Sequence, residues 1–168
     1  MRKPTTRLPR ALVLALAWTV LFGTADAGSV DRLREEAAIR NLIDKTWSRP
    51  EEKVVIDPVI VDDDYAIAGW TQGQRGGRAL LKKHNAEWAV VLCSGDGLKV
   101  TRLLVEVGVP EDSATRLADA LASAEAEVDD ERVELFSTFE GVMRMSGEHA
   151  SPHHGREHQS HDLETGTR

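Results

Sequence analysis

The chain has 168 residues, with 21 basic and 28 acidic side chains, six histidines and a net charge of −7. That balance argues against nucleic acid or an anionic membrane as a partner. Cys93 is the single cysteine, which excludes an intrachain disulfide and leaves a buried thiol, an intermolecular link or a metal ligand.

Arg2, Lys3, Arg7 and Arg10 form a basic start, Ala11 to Phe22 an uncharged and mostly apolar run, and Ala25-Asp26-Ala27 a small-x-small site. This order predicts a cleavable export signal over 1–27 and a mature chain beginning at Gly28. The apolar run is shorter than the about 20 residues a bilayer crossing needs. The mature protein is therefore expected to be soluble and to sit in the periplasm or outside the cell. Removing the leader takes away four basic residues and one acid, so the mature charge becomes −10.

Residues 28–146 read as one α+β domain. Ser29 is a candidate N-cap for a helix over 30–47, with Val30, Leu33, Ala37, Leu42 and Thr46 near helical spacing and Ile39 and Ile43 widening the stripe. Arg49-Pro50 ends it, because the residue before proline avoids the α region. Lys53–Val61 reads as a strand, placed at a sheet edge by Pro58. Asp62-Asp63-Asp64 is a turn, Tyr65–Thr71 a second strand, Gln72–Gly77 a glycine-rich connection and Arg78–Lys83 a third strand. His84-Asn85-Ala86 turns into a fourth strand, Glu87–Cys93, with Trp88, Val90 and Leu92 on one face and Val91 and Cys93 on the other. The short connections imply an antiparallel meander. Asp96 is a candidate cap for a helix over 98–107 ended by Gly108, and Pro110 suits the first turn of the next. That helix carries Ala114, Leu117, Ala118, Leu121 and Ala124 as its stripe, to about Val128. Asp129 caps a third piece bearing Val133, Phe136 and Phe139. The expected fold is an N-terminal helix, a four-stranded antiparallel meander and two or three C-terminal helices, with a first half in the manner of cystatin-like or nuclear-transport-factor-like folds.

Beyond Met145 the composition turns to Gly, Ser, Pro, His and charge without apolar periodicity, so 147–168 reads as a disordered tail. It holds five of the six histidines: His149, His153, His154, His158 and His161. Imidazoles suit Cu(II), zinc and nickel, whereas thioethers select Cu(I). Met143 and Met145 precede the tail. On extended chain their side chains point to one side and can clamp Cu(I); on a helix they diverge by about 200°. Packing at the domain's end is the alternative role for this pair, and a merely solubilising tail is the alternative for the histidines. His84 and Cys93 do not suit a thiol–imidazole dyad. Nine residues of near-extended chain put them about 25–30 Å apart, at ~3.3 Å per residue. Asp62-Asp63-Asp64 lacks the spacing of a calcium loop. Gln72–Arg78 lacks the ending of a phosphate loop, though its two arginines beside exposed glycine amides suit an anion.

Arg49-Pro50, Asp57-Pro58-Val59, Ala66–Trp70, Gly76–Leu80 and above all Trp88–Leu98 resemble a family of small exported bacterial proteins, the copper uptake system-associated proteins. The resemblance covers about 35–161 and includes Leu135-Phe136 and the histidine-bearing end. It implies work in the periplasm beside copper chaperones and outer-membrane copper uptake, and it favours a role for Cys93, which falls in the matching block. The first expectation is thus a non-enzymatic protein that binds or passes on copper through Met143, Met145, Cys93 and the tail histidines, zinc or nickel being the alternative ions. The second is a partner-binding module of a copper uptake pathway, docking a periplasmic chaperone or an outer-membrane receptor, whose tail only scavenges metal. An enzyme is the weakest expectation, since no nucleophile–base set, carboxylate pair or cofactor fingerprint stands out.

Overall fold

A computed structural model of the chain describes residues 27–145. The leader and the histidine tail lie outside them. Helix α1 (Ala27–Trp47) is followed by strands β1 (Val55–Asp62), β2 (Tyr65–Gln72), β3 (Arg75–His84) and β4 (Glu87–Ser94). A 3-10 turn (Asp96–Lys99) then leads to helices α2 (Thr101–Glu106), α3 (Glu111–Glu125) and α4 (Asp130–Phe136), which are followed by strand β5 (Val142–Arg144). The strands form one antiparallel sheet in the order β1-β2-β3-β4-β5. The architecture is α+β as expected, with a fifth strand that the sequence does not announce: three residues are too few for a visible alternation.

Alternation along the strands divides the core in two. Ala66, Ala68, Ala79 and Leu81 face α1, where they meet Ile39 and Ile43. Ile67, Leu80 and Leu92 face the other way, onto Leu104 of α2 and Leu117 and Leu121 of α3. Both sheet faces are therefore covered, and the central strands carry apolar residues at consecutive positions for that reason. The α1 stripe is shifted from its expected position. Ile39 and Ile43 are buried, but Val30 and Leu33 are 40% and 64% exposed. Ser29 lies inside α1 rather than capping it. Glu35 docks α1 on the sheet by accepting hydrogen bonds from Lys83 Nζ and, at 2.6 Å, from Trp88 Nε1.

The three hairpin turns are two residues each: Asp63-Asp64, Gly73-Gln74 and Asn85-Ala86. Asn85 and Ala86 both take positive φ (51° and 66°), the backbone that matches the twist of the strands. The expected connection over Gln72–Gly77 is mostly strand instead. Gly76 and Gly77 serve close packing, not turning: a Cβ on Gly76 would lie 2.8 Å from the Leu135 carbonyl oxygen, and one on Gly77 3.0 Å from Phe139 Cβ. Strand β1 is an edge, as Pro58 requires, and its register slips between Ile56 and Val59. Arg40 and Arg132 donate to the carbonyls of Ile56 and Val55, which blunts that edge against further pairing.

Two helix expectations change. Residues 98–107 divide into the 3-10 turn and α2, and Asp96 caps neither. Its carboxylate instead accepts from Arg78 Nη1 (3.3 Å) and Ser137 Oγ (2.9 Å). Helix α3 stops at Glu125, whose side chain continues the buried stripe of Leu117 and Leu121 and reaches Arg78. Asp129 does cap α4, accepting from the Arg132 amide at 2.9 Å. Arg78 on β3 is fully buried and binds Glu125 through two parallel hydrogen bonds of 2.6 and 2.8 Å, with its guanidinium over the Phe136 ring at 5.4 Å. The anion-holding role suggested for Arg78 is thereby overturned, since its donors are committed internally.

Glu125→Leu removes the bidentate partner of buried Arg78, leaving it only the longer Asp96 contact, and is expected to cost about 3–5 kcal/mol, read as a lower urea midpoint. The double variant R78M/E125L should recover most of that loss; a single-variant loss under about 1 kcal/mol, the size of a surface pair, would contradict the pairing as a latch. The Lys83 and Trp88 hydrogen bonds hold the Glu35 carboxyl below its usual 4.5. The stability it adds is present above that value and disappears as pH falls through the lower folded value. The stability gap between wild type and Glu35→Gln should accordingly close on acidification below about pH 4, in denaturation series at several pH values.

Candidate functional site

After α4 the chain crosses from the α3 side of the sheet to the α1 side. Thr138 Oγ1 accepts from the Gly76 amide at 3.0 Å, and Ser94 Oγ donates to the Gly141 carbonyl at 2.9 Å, so this crossing is tied to the ends of β3 and β4. Strand β5 then pairs with β4, setting Met143 directly opposite Cys93. The Met145 amide continues the ladder to the Val91 carbonyl at 2.8 Å. On extended backbone Met143 and Met145 share a face, and opposed residues on paired strands have Cβ atoms about 4.5–5.5 Å apart.

The face on which Cys93 lies is decided by a bulge. The β3–β4 register passes from Leu80↔Leu92 to Leu81↔Val90, so Val91 is an extra residue. Expected alternation put Cys93 opposite to Trp88. With the extra residue, Trp88, Val90 and Cys93 all belong to the α1 side, while Val91 and Leu92 belong to the other.

Cys93, Met143 and Met145 consequently line one cavity of about 260 Å³ between α1 and the sheet. Its walls include Ile43, Val54, Trp70 and Phe139, the last two meeting edge to face at 5.9 Å between centroids. Cys93 is buried, whereas Met143 is 53% exposed at the open side. Burial pushes the Cys93 thiol up to about 11, so it is protonated at neutral pH, and a metal must displace that proton to gain a thiolate. Among the described residues no group of three or more His, Cys, Asp or Glu converges. Any metal bound in the cavity would depend on the thioethers, and soft sulfur donors select Cu(I).

Of the residues picked from the sequence, the fold brings together Cys93, Met143 and Met145. His149, His153, His154, His158 and His161 lie outside the described residues. His84 sits at the tip of the β3–β4 hairpin opposite Glu87, while Cys93 pairs with Ala79, so no dyad forms. Asp62 and Asp63 are engaged by Arg116, at 2.6 and 2.8 Å for Asp62 and 3.3 Å for Asp63. That pairing lowers the Asp62 pKa. Sequence reasoning missed Trp47 and Arg49 as lining residues, and it named Arg75 as suited to an anion without placing it beside the sulfurs. Alternation along β3, which puts Arg75 on the Ala79 side, was the available signal for that placement. No family model, curated protein or solved structure matches the chain. No helix among the described residues is long and apolar enough to cross a membrane.

Cys93 in the metal-free protein should resist iodoacetamide at pH 8 and react progressively faster as pH approaches 11, followed by intact mass. Rapid labelling at pH 8, with the fold intact by circular dichroism, would show that the thiol is neither buried nor raised.

Proposed function

We propose that this chain is an exported, non-enzymatic accessory protein of copper handling, which binds or passes on copper in the periplasm. The observation that carries the reading is the convergence of Cys93, Met143 and Met145, three soft donors, on one cavity. The export-type leader, the five tail histidines and the resemblance to copper uptake system-associated proteins point the same way. His149 follows Met145 by four residues, a span of at most about 14 Å of extended chain. Tail imidazoles and cavity sulfurs are thus within one ligand exchange of each other, with a periplasmic copper chaperone or an outer-membrane copper receptor as the partner. In this reading the cystatin-like or nuclear-transport-factor-like character of the helix and meander is a scaffold and carries no function.

A second reading, a partner-binding module whose tail only scavenges ions, is favoured by one feature. Strand β5 is an edge of the sheet, and its Val142 and Met143 are about half exposed beside the cavity.

Anaerobic Cu(I) titration against a chromophoric chelator should show competition by mature 28–168. It should be retained, with fewer equivalents, in a truncation ending at Ser146, and weakened at least tenfold in C93S/M143L/M145L. Failure of the full mature chain to compete would sink the copper reading. Binding lost only with the tail would favour the second.

A further inference from the structure

The sulfur-lined cavity has a second chemical character that the copper reading does not use. Its charged lining residues are both arginines, Arg49 and Arg75, and no Asp or Glu is among them. Arg49 makes no ion pair among the described residues. Arg75 meets Glu52 only loosely, at 3.9 Å, and is 71% exposed, so it is free to turn to another anion. The loop carrying Arg49 is held in place: Arg49 and Glu52 exchange backbone hydrogen bonds of 3.0 and 3.2 Å. Gln72 Nε2 donates to the carbonyls of Trp47 and Glu52. Trp70, also in the lining, has its indole Nε1 buried with no hydrogen-bond partner. That nitrogen is closed off from the cavity, so Trp70 contributes to the lining through its ring carbons and not its N–H.

We infer that this cavity binds a small amphipathic monocarboxylate, with its apolar body against Trp70, Phe139, Ile43 and Val54 and its carboxylate at Arg49 and Arg75. The lining is complementary to such a ligand on each count. The walls are mainly apolar, and the volume of about 260 Å³ lies just below the about 300–1,000 Å³ of drug-sized ligand pockets, which suits a small ligand and excludes a diacyl lipid. Guanidinium recognises carboxylate through charge-assisted hydrogen bonds. An organic cation, which unlike Cu(I) gains nothing from the sulfurs, is disfavoured by the two arginines, and a neutral apolar molecule leaves them without an anion. The chain as a whole is acidic. Attraction must therefore come from the cavity mouth itself, within a Debye length of about 8 Å at physiological salt. The inference rests on Arg49, Arg75 and the apolar walls, not on the sulfurs, so it stands or falls separately from copper.

The test is calorimetric titration of metal-free mature 28–168 with octanoate, octan-1-ol and octylamine. Octanoate should bind at least about tenfold more tightly than octan-1-ol, the size of one charged hydrogen bond, and octylamine not at all. The exposed-site variant R49Q/R75Q should lose the octanoate advantage and keep octan-1-ol binding. C93S/M143L/M145L should retain octanoate binding, which separates this result from the copper titration. Equal affinity for octanoate and octan-1-ol, unchanged octanoate affinity in R49Q/R75Q, or no octanoate binding would overturn the inference.

Discussion

The buried pairing of Arg78 with Glu125 is the constraint on which the arrangement around the cavity depends. Arg78 is on the central strand β3, and Glu125 is the last residue of α3. A guanidinium without water must have its donors met, and here a carboxylate, the Asp96 side chain and the face of Phe136 meet them. These partners come from α3, the 3-10 turn and α4, so one ionic centre fixes three elements to the same point of the sheet. The centre is specific more than it is strong, since an apolar replacement of matching shape is often as stable.

From that point the path of the chain follows. Phe136 packs within 3.0 Å of where a side chain on Gly69 would begin, and Leu135 lies against Gly76. The absence of side chains on β2 and β3 lets α4 sit directly on the backbone, and Thr138 then bonds Gly76 beyond the end of β4. The chain is thus delivered to the free edge of β4, where β5 forms. Without that delivery Met143 and Met145 would have no defined relation to Cys93.

The cavity joins two kinds of donor that seldom share a wall. Neutral, polarizable sulfur lies toward β4 and β5, and hard, charged guanidinium lies toward the loop after α1 and the start of β3. Burial keeps the thiol protonated, which makes Cys93 inert as a nucleophile until something replaces its proton. The aromatic pair Trp70 and Phe139 lines the apolar part between them.

Much of the fold was legible in the sequence because it is set by local rules. Pro58 marked an edge strand, turn residues at Asp62–Asp64 and His84–Ala86 marked two of the hairpins, Asp129 marked a cap, and apolar residues on both faces of Glu87–Cys93 marked a strand inside the sheet. The nomination of Cys93, Met143 and Met145 also needed only their sulfur chemistry. What the sequence did not contain were effects of contact between distant segments. The inward turn of Glu125 depends on Arg78, 47 residues away. Gly76 and Gly77 read as a turn because glycine's need for space near another element looks the same in sequence as its need for unusual φ. One extra residue at Val91 inverted the face of Cys93, and alternation read along a single strand has no means of registering a bulge that exists only against its partner. Composition and spacing therefore determined which atoms are available for chemistry. Tertiary pairing decided that three of them meet, because register is a property of two strands and not of one.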